Sequence, residues 1–513
     1  MFSSMMQAIV SHLDQSGDTI AIISPDGQFS CRQVAGRVQA IVDVLQQLKP
    51  ARVLVLGHKE LDTLSALIAC AYCGIAFTVA DSANPLSRVV RMAEIYQTDL
   101  ILDGRVASQP VGDDAITHYP IVALALLPDS DCQLTAWQPP ADNPIFYVLS
   151  TSGSTGLPKG VKIGYAQFGA FYAWYREIML IEAPTGAHLN HARLSFDMGL
   201  LDLFTSLALA KPVIMLCHAH NAMPRQNLNL MRCQTAAPVT SWFSTPSFLE
   251  IMCLDPQFNQ QVLAHLQLVI VGGEFVSPQL IGKIHQRFPQ VRVMHGYGPT
   301  ETACLTHLHP IERLSDGEHT LLPLGKPRGN NVIGIENDRG EPLPIGEVGE
   351  VVIYGEQVGL GYLPESHPKN VAFGGHDDRR FYRTGDYGFV NEHGELWLKG
   401  RIDRQVKWHG NRVELAEIEA VACRYPPVNQ AAAVPVYQHN KLADVIMFLQ
   451  LHEDTPEQRQ GFVRHISEHL PKYMVPTSLH YLQQLPLSLN GKIDHQALLQ
   501  YWQQNYQRQG SLS

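Results

Sequence analysis

The stretch Ile145-Phe-Tyr-Val-Leu149, followed by Thr151-Ser-Gly-Ser-Thr-Gly-Leu-Pro-Lys159-Gly160, decides how this chain is read. A short apolar strand runs into a loop of small hydroxyl and glycine residues closed by a lysine, and Gly160-Val-Lys-Ile163 reads as a second strand. Such a loop suits phosphate. Gly153 and Gly156 let main-chain N–H groups turn inward, Thr151, Ser152, Ser154 and Thr155 add donors without bulk, and Lys159 supplies a point charge. The Walker loop differs, because its Gly-Lys-Ser/Thr opens a helix, whereas here Pro158 precedes the lysine and a strand follows. A flexible Ser/Gly linker is the bland alternative, and it is disfavoured by the two apolar strands that flank the loop. A nucleoside triphosphate is the guest these residues suit.

At 513 residues the chain exceeds what one hydrophobic core serves, so two or more domains are expected. Its formal net charge of -10 argues against nucleic acid as a partner. The N-terminus lacks a basic segment followed by a long apolar core and is read as unprocessed. The most apolar window, Leu64 to Ala80, is too short to span a membrane and contains Gly74, so a buried helix followed by a strand is expected. Nine scattered cysteines, an odd number, suit reduced thiols and a cytoplasmic protein. Cys70 and Cys73 have redox or zinc spacing without a second pair and are assigned to packing. His218 and His220 lack a third ligand, and no structural metal is expected.

Apolar runs at Ala51–Leu56, Leu100–Leu102, Pro212–Leu216 and Leu266–Val271 alternate with amphipathic stretches such as Ser30–Leu48, the rhythm of α/β layers with largely parallel sheets. From about Leu324 to Leu398 the texture changes to short strands punctuated by Gly and Pro, the pattern of a small β barrel or meander. The remainder is long enough for a small α+β domain. The expected fold is therefore α/β. A large N-terminal core of two α/β subdomains plus a small β barrel spans 1–400, a hinge 401–404, and a small mobile C-terminal α+β domain 405–513.

A second signature, His295-Gly-Tyr-Gly-Pro-Thr-Glu301, follows a strand-like Val291–Met294 and combines an aromatic face, a tight turn, a hydroxyl and a carboxylate. Tyr297 could stack on adenine and Glu301 could hold the Mg²⁺ that bridges triphosphate oxygens, with Gly298 and Thr300 forming the turn. With these two loops in hand, the chain resembles the adenylate-forming (ANL) enzymes over nearly its whole length. The resemblance is specifically to the amino-acid adenylation enzymes of nonribosomal peptide synthesis and the D-alanine:carrier-protein ligases. Further matches, in the family's order, are Tyr382-Arg-Thr-Gly-Asp386, Gly400-Arg-Ile-Asp-Arg-Gln-Val-Lys407, Leu470-Pro-Lys-Tyr-Met-Val-Pro476 and Leu485-Pro-Leu-Ser-Leu-Asn-Gly-Lys-Ile-Asp494.

The resemblance implies roles residue by residue. Asp386 would accept both ribose hydroxyls, with Arg401 a neighbouring ribose or phosphate contact. Lys492 would be the catalytic lysine that meets the negative charge gathering as a carboxylate attacks the α-phosphorus of ATP. Asp403 would be the hinge about which the small domain turns between adenylation and attack by a phosphopantetheine thiol. Asp197, in Ser195-Phe-Asp197, would pair with the α-ammonium of an amino-acid substrate; alone, it could equally be a helix cap. The side-chain pocket would be lined by Met198, Leu201, Phe243, Ile270, Gly272, Gly296, Cys304 and Leu305, none of them charged, so a small to medium apolar amino acid is expected. D-alanine, glycine, proline and branched aliphatics all remain open.

Ser241–Phe248 and Ser195–Asp197 are particularly similar to the D-alanine ligase branch, where Gly272 stands at a position that can carry a size-limiting cysteine; a larger guest would thereby be permitted. Other departures, His295, Tyr387, Trp408-His409 and Asn411, fall chiefly on carrier recognition. No Gly-Gly-[His/Asp]-Ser attachment sequence occurs, so the expected partner is a separate phosphopantetheinylated carrier protein. The alternative reading is an acyl-CoA or aryl-CoA synthetase of the same fold, which has no use for an ammonium-binding acid at Asp197.

Overall fold

The computed structural model describes residues 2–105, 119–130, 134–135, 137–138, 140, 144–151, 159–217, 220, 223–234, 237–313, 321–376, 379–402, 404–408, 410–438, 441–487 and 493–506. The chain divides into two compact units. Met1–Ser82, Met92–Ser150 and Gly160–Ile402 form the first; Ala83–Arg91, Thr151–Lys159 and Asp403–Ser513 form the second.

The first unit is built on three sheets. In a seven-stranded sheet, Arg52–Gly57 lies between Ala76–Asp81 and Leu100–Asp103, all parallel. Strand β1 (Ile145–Thr151) runs parallel beside Ala76–Asp81, and β2 (Lys159–Gly164) follows it in the sheet order. Every residue of Ala76–Asp81 is buried, as a parallel strand covered on both faces requires. The apolar window from Leu64 resolves as expected into a helix, Leu61–Cys73, closed by Gly74 at φ +72°, and then that strand. Helix α1 (Tyr165–Glu182) follows β2 directly.

An eight-stranded sheet contains the parallel neighbours β3 (Val239–Ser244), β4 (Leu268–Gly272) and β5 (Arg292–Tyr297). Candidate site residues Phe243, Ile270, Gly272, Gly296 and Tyr297 sit toward the C-terminal ends of these strands, where open α/β sheets present their ligand sites. Helix α2 (Asp197–Ala208) ties the two sheets together. Its Phe204 ring lies 5.1 Å from that of Phe146 on β1 and 6.3 Å from that of Phe77, in one continuous apolar core.

The Gly- and Pro-punctuated region forms a five-stranded antiparallel sheet in which Gly349–Tyr354 pairs with β6 (Arg379–Val390), and β6 with β7 (Leu396–Arg401). The β6–β7 register sets Asp386 opposite Arg401. The second unit contains an antiparallel hairpin, Gln405–Trp408 with Asn411–Glu414, and a three-stranded sheet of Val428–Gln438, Lys441–Leu451 and Ser478–Tyr481. Among the described residues, no helix is long and apolar enough to cross a membrane.

Candidate active site

Strand β5 delivers Tyr297 to the edge of the antiparallel sheet, and β6 delivers Asp386. The Tyr297 hydroxyl donates to Asp386 Oδ2 at 2.6 Å, while the Arg401 guanidinium pairs with Oδ1. Thr384 fixes the main chain at Asp386, accepting from the Asp386 amide at 3.0 Å and donating to the Val351 carbonyl at 2.7 Å. Burial, reinforced by the charge of Asp386, pushes the Tyr297 phenol well above its ordinary range, so it stays a donor. A carboxylate offers about four acceptor sites, so two remain after these contacts, the number needed for two ribose hydroxyls. The Tyr297 ring is packed against Leu324, Ile335 and Val351, with His307 at 5.6 Å.

Thr300 and Glu301 lie in a single 3-10 turn, Thr300–Thr302, immediately after β5. Glu301 is fully buried and accepts from the Tyr362 hydroxyl at 2.6 Å. Gly298 is required by close approach, because a Cβ there would lie 2.2 Å from the Cys304 carbonyl oxygen. Lys159, in the second unit, is fully buried with Nζ 3.7 Å from Glu414 Oε1. Thr151 ends β1. Ser152, Gly153, Ser154, Thr155 and Gly156 lie outside the described residues, as do Asp403, Lys492 and His218.

On the other side stands Asp197, half-buried in the first turn of α2, its Oδ1 accepting from the Met198 amide at 2.8 Å. Phe196 occupies the capping position without a side-chain bond, and the Asp197 carboxylate, bonded to the next amide, is also favoured in the helix's first turn by the helix dipole. Met198, Leu201, Phe243, Ile270, Cys304 and Leu305 belong to one buried apolar cluster. Gly272 faces Gly296 across the β4–β5 pairing. One expectation needs correction here. A Cβ at Gly272 would sit 2.4 Å from the Gly296 carbonyl oxygen, so the space beside this glycine is taken by main chain and does not by itself enlarge a cavity. Gly296 in turn lets the wall close in, since its Cβ would meet Leu305 Cδ2 at 3.0 Å and Ile270 Cγ2 at 3.3 Å.

Several features of this side have no counterpart in the sequence reading. Ala303 and Cys304 both adopt left-handed backbone, at φ +56° and +79°. Each costs about 1–3 kcal/mol in a residue with a Cβ. Tyr147 on β1 and Tyr175 on α1 are fully buried, and neither hydroxyl has a hydrogen-bond partner among the described residues. Burial pushes both phenols well up, with Asp197 adding to the effect at Tyr147, Asp202 at Tyr175, and Cys304 at both. Lys59, by type a surface residue, is fully buried and donates to the carbonyls of His191 at 3.1 Å and Leu216 at 2.9 Å. Burial pulls it down to about 7 against the attraction of Asp202 and Asp81. The only sequence signal for Tyr147 is a hydroxyl within the apolar run Ile145–Leu149; for Lys59 there is none.

Residues 10–363 match the family described as AMP-binding enzyme, and 417–492 match the AMP-binding enzyme C-terminal domain. The chain is 30% identical over 512 residues to a D-alanine–D-alanyl carrier protein ligase of Bacillus cereus (strain Q1), covering 96% of this chain and 99% of the relative. It is 29% identical over 509 residues to the ligase of that name from Bacillus licheniformis, covering 96% and 98%. Among solved structures it shares its fold with the Vibrio cholerae adenylation domain AlmE in complex with glycyl-adenosine-5'-phosphate, at a TM-score of 0.83, 21% identity and 98% coverage of both chains. The nonribosomal peptide synthetase protein PA1221, containing adenylation and PCP domains, aligns with a TM-score of 0.78 and 22% identity, over 97% of this chain and 85% of that one. Family match, full-length relatives and shared fold agree: this chain belongs to the AMP-binding enzyme family, within the adenylate-forming superfamily of ligases.

Proposed function

We propose that this protein activates an α-amino acid with a small to medium apolar side chain as its aminoacyl-AMP, using ATP, and transfers the aminoacyl group to the phosphopantetheine thiol of a separate carrier protein. The observation that carries this reading is the combination of Asp197, half-buried at the start of α2, with Met198, Leu201, Phe243, Ile270 and Leu305 in one apolar cluster. A bound α-ammonium requires one countercharge, and an apolar side chain requires none. The relatives are named for D-alanine and a D-alanyl carrier protein, which supports an amino acid and a carrier as reactants here.

In the first half-reaction, an oxygen of the substrate carboxylate bonds to the α-phosphorus as the bond to the bridging oxygen breaks and pyrophosphate leaves. Asp386, held by Tyr297 and Arg401, would anchor the ribose. Lys492 would neutralise the charge developing on the phosphoryl oxygens. Glu301 fits Mg²⁺: it is a single buried carboxylate oriented by Tyr362, and the described residues hold no cluster of three His, Cys, Asp or Glu, which suits an ion that keeps waters and phosphate oxygens as its other ligands. That ion would supply charge neutralisation to the triphosphate. In the second half-reaction the thiol sulfur bonds to the acyl carbon and AMP departs.

A panel of amino acids assayed for exchange of labelled pyrophosphate into ATP tests this reading. Exchange is expected with small apolar amino acids and should be severely depressed by Lys492→Ala with ATP binding retained. Turnover of a simple carboxylic acid with CoA, together with no exchange for any amino acid, would reject it in favour of an acyl-CoA synthetase.

A further inference from the structure

The left-handed segment at Ala303 and Cys304 lies between the two halves of the site, and something must hold it. Gln357, 2% exposed in the loop after Gly349–Tyr354, does so with every hydrogen-bonding group it has. Its Oε1 accepts from Trp174 Nε1 at 2.8 Å and from Asn331 Nδ2 at 2.7 Å. Its Nε2 donates to the carbonyls of Thr302 at 3.0 Å and Leu305 at 2.8 Å. An indole N–H can only donate and a carbonyl can only accept, so these partners fix which end of the amide is oxygen. The two gripped carbonyls bracket the two left-handed residues.

The same loop grips the turn again one residue earlier, through Gly359 N to Glu301 O at 2.8 Å, and its end holds the Glu301 side chain through Tyr362. Strained backbone persists only where its surroundings over-determine it. Here the side-chain part of those surroundings is a buried amide anchored to α1 through Trp174.

We propose that Gln357 is a positioning residue for substrate specificity: by clamping the carbonyls of Thr302 and Leu305 it sets the Cys304–Leu305 wall of the amino-acid site relative to Glu301. The assignment of that wall to an amino acid rests on the function proposed above; the clamp itself does not. Removing the amide's donors should let the segment relax toward ordinary backbone and move Leu305, which packs where a Gly296 side chain would be.

The test is Gln357→Met, close in volume but unable to bond either carbonyl, measured in two ways. In pyrophosphate exchange, the KM for the preferred amino acid should rise about tenfold and discrimination between neighbouring side-chain sizes should narrow, while the KM for ATP changes less than about twofold. By hydrogen exchange, the amides of Ala303 and Leu305, bonded within this turn, and of Thr306, bonded to the Tyr297 carbonyl, should exchange at least about tenfold faster, with β3 unchanged. Unaltered amino-acid selectivity together with unaltered local protection overturns the proposal. A general loss of protection would mark Gln357→Met as unfolded. The milder Trp174→Phe, which removes one donor to the amide, then decides: a smaller shift in the same direction supports the clamp, and no shift overturns it. Wild-type protein that exchanges with no amino acid would sink the proposed function, and the hydrogen-exchange result would still judge the clamp.

Discussion

The proposed nucleotide side of the site and the proposed amino-acid side are built on opposite principles. Around Asp386 each polar atom is paired in advance: a phenol and a guanidinium on the carboxylate, a threonine on its amide, and a strand register that fixes all three. Asp197 opens a helix whose next residues enter a large buried apolar cluster, and that cluster holds two phenol hydroxyls, Tyr147 and Tyr175, that no described residue satisfies. A ribose is the same in every turnover, so its site can be preorganised once by hydrogen bonds. A side-chain pocket discriminates by shape, and shape is set by packing and by where the backbone is held.

Breaking the paired side should have the largest effect. Asp386→Asn leaves Arg401 beside a neutral amide and weakens both ribose contacts; kcat/KM for exchange should fall about 10³-fold, roughly 4 kcal/mol. A loss below tenfold would mean the carboxylate organises the sheet and not the ribose. Next comes the apolar side. Asp197→Asn should raise the amino-acid KM about 10²-fold with little change in the KM for ATP. Equal rises in both would place Asp197 in general folding and erase the division between the two sides.

Acid should weaken both sides together, and this sharpens the comparison by separating charge from packing. His307, beside Tyr297, and His191, on the Phe243 carbonyl, are each held down to about 3, chiefly by burial, against 6.5 when exposed. Between those values the unfolded chain binds protons that the folded chain refuses. Stability is therefore complete above about pH 6.5 and lost as pH falls. The loss is on the order of 2 kcal/mol per histidine by pH 5. Urea unfolding of His307→Gln should show a shallower acid slope than wild type; parallel slopes would rule out His307 as a contributor.

The smallest predicted effect has opposite signs on the two sides. Tyr297→Phe removes a bonded hydroxyl from Asp386 and should destabilise by about 1–2 kcal/mol. Tyr147→Phe and Tyr175→Phe remove unsatisfied ones and should be neutral or stabilising by up to about 1 kcal/mol. Midpoints that all move the same way would show that the hydroxyls of the amino-acid side are satisfied in solution.

Much of the fold was legible in the residues. Parallel strands announce themselves as short apolar runs because both faces are covered, which is how Arg52–Gly57 and Leu268–Gly272 could be expected within a residue or two. Tyr297, Glu301 and Asp386 stand in compact local motifs whose chemistry is visible at short range. Gln357 and Lys59 were not legible, because each acts through partners far away in the chain. Gln357 meets residues 55 and 52 positions earlier, and Lys59 reaches carbonyls 132 and 157 positions later. No local pattern can mark a residue whose meaning lies in distant backbone.

Gly272 draws the same line from the other direction. By type it promised room, and only the neighbouring strand revealed that the main chain of Gly296 already fills that volume. Sequence alone determined the layered architecture and the order of the motifs, since periodicity and short-range patterns are carried by consecutive residues. The tertiary structure alone decided which polar groups are paired before substrate arrives and how near the pocket walls stand, because burial and close approach are properties of neighbours in space.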